Sequence, residues 1–85
     1  VSAGPEVVDA RGLRCPLPVV RLAAHAKERP RGTEITVLAT DPAARYDVPA
    51  WARLRGHAMV AEEQHPGNDE TDGRTWWALT VRLED

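Results

Sequence analysis

Two stretches of the chain alternate apolar and polar residues with the period of a strand. In Thr33–Thr40 (TEITVLAT), Ile35, Val37 and Ala39 fall on one face, while Leu38 is apolar on the other, as in a central strand. In Arg74–Leu83, Trp77, Leu79, Val81 and Leu83 alternate with Trp76, Ala78, Thr80 and Arg82. Glu6–Ala10 is a shorter β-prone run that stops at Arg-Gly, and His57–Gln64 completes a set of four. Between the first two strands the period changes. Val19, Leu22, Ala23 and Ala26 recur at helical spacing, broadened by Leu17, Val20 and Ala24, until Lys27, Arg29, Pro30 and Gly32 end the run. Proline is tolerated in a first helical turn, so Pro16 and Pro18 read as its first and third residues and Cys15 as its N-cap. Asp41-Pro42 opens a short turn. Asp47 and Pro49 then signal a second helix from about Val48 to Arg55, with Val48, Trp51 and Ala52 inward and Gly56 as its stop. The order βαβαββ predicts an α+β two-layer sandwich: a four-stranded mixed sheet with both helices on one face, its parallel part joined by right-handed crossovers.

Eighty-five residues, 42% of them hydrophobic and 28% charged, predict one globular domain over residues 1–85 rather than a disordered tail. Eleven basic against thirteen acidic residues leave a net charge of −2, which argues against direct nucleic-acid binding. No apolar run approaches a membrane span, and VSAGPEVVD has neither a basic leader nor an apolar stretch. A cytoplasmic monomer is expected. A single cysteine excludes an internal disulfide and a thiolate-cage zinc site, and no metal or cofactor is expected. Asn68–Gly73 resembles a calcium loop, but the position of the obligatory bidentate Glu is taken by Leu79, and that reading fails. The turn-rich, acidic stretch around it reads as a solvated hairpin loop. Trp76 and Trp77 must point to opposite faces, one to the core and the other outward as a protein-contact residue or simple sheet packing.

The chemistry concentrates at Cys15. A lone cysteine is usually a small buried hydrophobe. This one follows a Gly-containing loop and stands at a proline-opened helix start, a surface position. The positive end of a helix stabilises an anion by about 0.3–1 kcal/mol, at most about 2. A thiol that ordinarily titrates at about 8.5 is thereby expected to move toward about 7, with Arg11 and Arg14 adding to the effect if they point inward. His25, His57 and His65 are out of local reach and read as surface or capping residues. The lack of a second cysteine excludes a self-resolving dithiol cycle, and so small a fold offers few substrate-binding walls. What remains is a nucleophile whose substrate comes from one partner and whose product leaves to another: a carrier without independent turnover.

The segment Asp9-Ala10-Arg11-Gly12-Leu13-Arg14-Cys15-Pro16-Leu17-Pro18 resembles the D-x-x-G-x-x-C-P-x-P signature of the TusA/SirA-like sulfur-carrier family. The similarity continues through Gly32, Ile35–Thr40, Asp41-Pro42, Asp47-Val48-Pro49 and Gly56-His57. It implies the same βαβαββ sandwich and a Cys15 that carries sulfur as a persulfide. The donor would be a cysteine desulfurase or a rhodanese, and the acceptor a downstream relay protein, toward tRNA thiolation or molybdenum cofactor. By the motif, Gly12, Pro16 and Pro18 frame the carrier cysteine. Arg14 supports it, and Arg11 and Asp41 lie where partner contacts are expected. The chain departs from a minimal member in its long acidic loop, Gln64–Gly73, and in the few bulky side chains of its first helix. Two alternatives stand beside this reading: a non-catalytic adaptor of the same fold, with Trp76 and the acidic loop as its contact surface, and a carrier serving sulfur oxidation or thiosulfate assimilation.

Overall fold

The computed structural model describes residues 5–84. Strand β1 (Glu6–Asp9) is followed by helix α1 (Leu17–Ala26), strand β2 (Glu34–Ala39), helix α2 (Ala44–Arg55), strand β3 (Ala58–His65) and strand β4 (Trp76–Arg82). A 3-10 turn, Asp69–Thr71, lies between the last two strands. The sheet order is β1-β2-β4-β3. β1 runs parallel to β2, with Val8 opposite Val37, and the two remaining pairings are antiparallel, with Val37 opposite Leu79 and His65 opposite Trp76. This is the mixed α+β sheet expected from the element order. The crossover α1 joins the parallel pair, as parallel strands require.

The alternation in β2 becomes alternating burial, whereas β4 is buried on both faces from Trp77 to Val81. Ile35, Val37 and Ala39 are fully buried against Leu79, Val81, Trp77 and Leu83. Leu22 of α1 and Ala44, Val48 and Ala52 of α2 close the core from above. Leu38 and Thr36 belong to the other sheet face, where the Thr36 and Thr80 hydroxyls meet at 2.7 Å. Of the tandem tryptophans, Trp77 joins the core. Trp76 lies on the outer face under a stacked His65 ring, 4.1 Å between centroids.

Two helix boundaries differ from the sequence reading. α1 begins at Leu17 with Pro16, not Cys15, as its cap residue and with no side-chain cap, so Pro18 is its second residue. α2 begins at Ala44, not Val48, and holds Pro49 in its interior. The reason is Asp41. Its carboxylate accepts the Ala43 N–H at 2.9 Å, so the turn it closes runs straight into the helix, and Pro49 forfeits only one rung of the ladder. Gly56 ends α2 as expected, in the left-handed region at φ 80°. The acidic hairpin loop is built rather than merely solvated. Asn68 and Thr71 cap each other reciprocally, and Thr71 is buried.

Candidate functional site

Both parallel strands end on the same side of the molecule. The loop after β1 and the turn after β2 meet there, at the N-terminal ends of α1 and α2. Crevices outside the carboxyl ends of parallel strands are where open α/β sheets place their chemistry. The β1–α1 loop is fastened in three places. Ala10 N–H donates to Leu38 C=O at 2.8 Å, Gly12 N–H to Thr40 Oγ1 at 2.9 Å, and Cys15 N–H to Asp41 Oδ2 at 2.9 Å. Gly12 permits the middle fastening because its φ of 87° is a backbone conformation that side chains disfavour. The Cys15–Pro16 peptide is cis, a feature not evident from the CPxP spelling. Pro16 is exposed and Pro18 buried, so the two prolines flank the cysteine from outside and from beneath.

Cys15 is half-buried, and its side chain packs against the hydrophobic core together with Leu13, Val19 and Trp51. That environment reverses the expected shift of its thiol. Burial is the largest effect, the Asp47 carboxylate, which favours the protonated thiol, comes next, and the negative charges of Asp41 and Asp47 follow; together they push the thiol up from 9.0 to about 12. The helix start does not prevail, because the first helical residue is Leu17 and the charges that act on the sulfur are those of two carboxylates. Asp41 itself is held below the usual carboxylate range, because it accepts the N–H groups of Cys15 and Ala43.

The arginines do not act as anticipated. Arg11 is bound to Asp9 through two hydrogen bonds of 3.0 Å, lies 3.6 Å from Glu70 and covers the Trp76 ring at 5.1 Å. It fastens the hairpin loop to the end of β1 and is not among the groups that shape the Cys15 thiol. Arg14 is exposed and lines a cleft of about 700 Å³ with Gly12, Thr40, Asp41, Arg74 and Trp77. Its charge acts on Asp41 rather than on the sulfur. The histidines are engaged elsewhere: His25 with Glu6 at 2.6 Å, His57 with the Glu84 N–H at 3.1 Å, and His65 on Trp76. On the α2 side of the cysteine a groove of about 360 Å³ opens between Pro16, Val19, Asp47, Ala50, Trp51 and Leu54. Sequence reasoning took Asp47 only as a helix-start signal. Its place beside Cys15 follows from how α2 packs on α1, which no local pattern encodes.

Among the described residues no group of three or more His, Cys, Asp or Glu side chains could hold a metal ion. No helix among them is long and apolar enough to cross a membrane.

The chain matches the family model described as sulfurtransferase TusA over residues 6–82. It is 42% identical over 60 residues to the sulfur carrier protein TusA of Pseudomonas syringae pv. syringae, covering 71% of each chain. It is 36% identical over 61 residues to the sulfur carrier protein TusA of a Pseudomonas putida strain, covering 72% of this chain and 76% of that one. Among solved structures, the SirA-like protein of Desulfitobacterium hafniense shares the fold with a TM-score of 0.65 at 24% identity, over 93% of this chain and 97% of that one. The family match runs from the first strand to the last and takes in the whole cysteine loop, and the chain belongs to the sulfurtransferase TusA family.

Proposed function

We propose that this chain is a sulfur carrier in which Cys15 accepts a persulfide sulfur from one protein and hands it to another. The observation that carries the reading is the setting of Cys15 in a TusA-family chain. The sulfur stands at the head of α1 in a loop pinned to Thr40 and Asp41, beside an open groove and without a histidine base. A group built for turnover of a small molecule would need an oriented base and an enclosing pocket. A carrier needs a fixed sulfur that a partner can approach. Exposed apolar residues around the cysteine suit such a partner: Leu17 and Val20 on α1 and Leu54 on α2 are 47%, 54% and 82% exposed. Gly12, Pro16 and Pro18 shape the loop, and Arg14 and Asp41 stand at its rim for contacts with the donor or acceptor. A cysteine desulfurase or a rhodanese fits as donor and a further relay protein as acceptor, with the chain acting as a single cytoplasmic domain.

The test is the intact mass of the reduced protein after incubation with a cysteine desulfurase, pyridoxal phosphate and cysteine. The expected result is a gain of about 32 Da that dithiothreitol reverses, which separates a persulfide from a sulfinic acid of similar mass. Cys15→Ser is expected to fold and gain nothing. Sulfur uptake by that variant, or no uptake by the parent protein from either a desulfurase or a rhodanese with thiosulfate, overturns the proposal.

A further inference from the structure

The cleft beside the cysteine loop is a cationic exception on an anionic chain. Eleven basic against thirteen acidic residues leave the protein at a net charge of −2. Yet the cleft of about 700 Å³ that Arg14 lines also carries Arg74, against the single carboxylate of Asp41. Arg45, in the first turn of α2, lies over the ring of Trp77, another residue of the cleft wall, at 5.6 Å. The three arginines come from three places in the chain: the cysteine loop, the approach to β4, and α2. All three are exposed, and among the described residues none of them forms an ion pair. Like charges gathered in this way add only repulsion to the fold, so their use lies outside it.

The cleft wall is rich in donors, and its acceptors are occupied. The two oxygens of Asp41 accept the N–H groups of Cys15 and Ala43, at 2.9 Å each. Thr40 Oγ1 accepts the Gly12 N–H at 2.9 Å. The buried indole N–H of Trp77 has no acceptor among the described residues. A ligand that fits such a wall brings negative charge and acceptor atoms. The same bonds close off a cradle for a small oxyanion. Such a cradle is built from converging backbone N–H groups, and those of Gly12, Cys15 and Ala43 are already bonded within the protein. What stays free is a spread of guanidinium forks beside the apolar surfaces of Leu13, Pro42 and Trp77. Arginine forks match carboxylates in pairs, and the apolar surface suits the stems of acidic side chains. A long polyanion such as RNA would meet Glu70 and Asp72 of the hairpin, which line the adjoining pocket with Arg74. A short acidic segment avoids them.

We propose that this cleft docks a short segment of a protein partner rich in Asp or Glu, which the arginines hold beside Cys15. Arg14 of the cleft wall precedes Cys15 in the chain, and the Cys15 N–H binds Asp41 of the same wall. A segment seated there brings its own protein up to the sulfur. Because the chain as a whole is net negative, such a segment is repelled elsewhere and drawn in here, which orients the partner. As a surface for the donor or the acceptor of sulfur, the site rests on the carrier reading.

The probe is a fluorescein-labelled peptide of eight glutamates, its anisotropy followed on titration with the whole protein at low ionic strength. Binding is expected. Arg14→Ala combined with Arg74→Ala is expected to weaken it by about tenfold, since an exposed charge pair contributes about threefold. Arg14→Lys with Arg74→Lys keeps the charge and is expected to retain most of the binding. Arg31→Ala with Arg53→Ala removes the same charge at residues that do not line the cleft, and is expected to change nothing. Absence of binding, or equal weakening by the two alanine pairs, overturns the proposal. So does an oligonucleotide that binds more tightly than the peptide, or inorganic phosphate that displaces it at matched ionic strength.

A second measurement asks whether the segment lies next to the sulfur. The same peptide, ended with a cysteine activated as a thiopyridyl disulfide, exchanges with Cys15. The Cys15 sulfur bonds to the peptide sulfur, the peptide S–S bond breaks, and thiopyridine leaves with the electron pair and the thiol hydrogen. By charge alone, carboxylates brought to a thiol slow this reaction, because they disfavour the thiolate. Docking raises the local concentration of the disulfide, so the acidic peptide is expected to react about tenfold faster than one of eight serines. That advantage is expected to vanish in Arg14→Ala with Arg74→Ala. An acidic peptide no faster than the serine one overturns the proposal. Cys15→Ser is expected to bind the glutamate peptide as the parent does, so the docking result stands apart from what sulfur uptake says of the carrier.

Discussion

At the scale of single residues, the central fact is that Cys15 is a guarded nucleophile. A thiolate exposed at a helix start would react with any electrophile or oxidant that reached it. Here the sulfur is packed on the core and faces Asp47 and Asp41, so the resting state is the thiol and reactivity awaits a partner. The consequence for pH dependence has a definite sign. The folded value of about 12 stands above the unfolded value of 9.0, so the native state holds this proton more tightly than the unfolded chain. The stability linked to it is full below pH 9 and is lost as the pH rises toward 12. Alkylation kinetics offer the direct check. The rate with iodoacetamide is expected to climb with pH through 9 without levelling, as befits a value of about 12. A plateau between about 7 and 8, which a helix start acting alone would give, would show that the carboxylates do not govern the sulfur. Cys15→Ala is expected to flatten the alkaline limb of the unfolding profile.

At the scale of elements, what could be read from the sequence was what alternates or recurs locally. Ile35, Val37 and Ala39 spell β2, Trp77, Leu79 and Val81 spell β4, and the positions they predicted inward are buried, although Ala78 and Thr80, predicted outward, are buried too. Gly56 spells the end of α2. The start of α2 was illegible because the turn that Asp41 closes on Ala43 lets the helix form a turn early, overriding the proline that suggested a later one. The site divides the same way. Cys15 and its framing Gly12 and Pro16 can be read from a contiguous motif. The roles of Asp47 and Arg11 cannot, because they depend on α2 lying against α1 and on the hairpin loop folding over β1. That loop carries its own prediction. A Cβ on Gly67 would stand 2.2 Å from the Gly73 carbonyl oxygen and 2.3 Å from its carbon, both backbone atoms that cannot swing aside. Gly67→Ala is therefore expected to force the neck of the hairpin open and to cost about 1–3 kcal/mol in urea unfolding. A variant as stable as the parent would mean that the neck is not closed in solution.

At the scale of the whole molecule, carboxylates fasten the one parallel strand pair and the site to the rest of the fold. Glu6 at the start of β1 accepts from Arg29 and meets His25, both at 2.6 Å, tying the strand to the far end of α1. Asp9 at its other end grips Arg11, and Asp41 holds the cysteine loop. All three sit below their ordinary values of 4.5, 3.8 and 3.8. The causes are respectively the Arg29 and His25 hydrogen bonds, the Arg11 hydrogen bond, and the backbone N–H groups of Cys15 and Ala43. A depressed carboxylate contributes stability that is full above its unfolded value and is lost as the pH falls through the folded one. Acid should therefore loosen β1 and the site together, while the apolar core of β2, β4 and the helices holds. With the loss above pH 9 from Cys15, the molecule is expected to be most stable on a plateau from about pH 5 to about pH 9. Exposed ion pairs are weak and screened by salt, so the acid limb should be shallow and should weaken further in high salt. Urea unfolding across pH 2.5 to 10 measures both limbs at once. Asp41→Asn is expected to lower the plateau and to shallow the acid limb, because the group that titrates there is gone. An acid limb unchanged in that variant would move the weight of the argument to Glu6 and Asp9, and midpoints that rise below pH 4 would reverse its sign altogether.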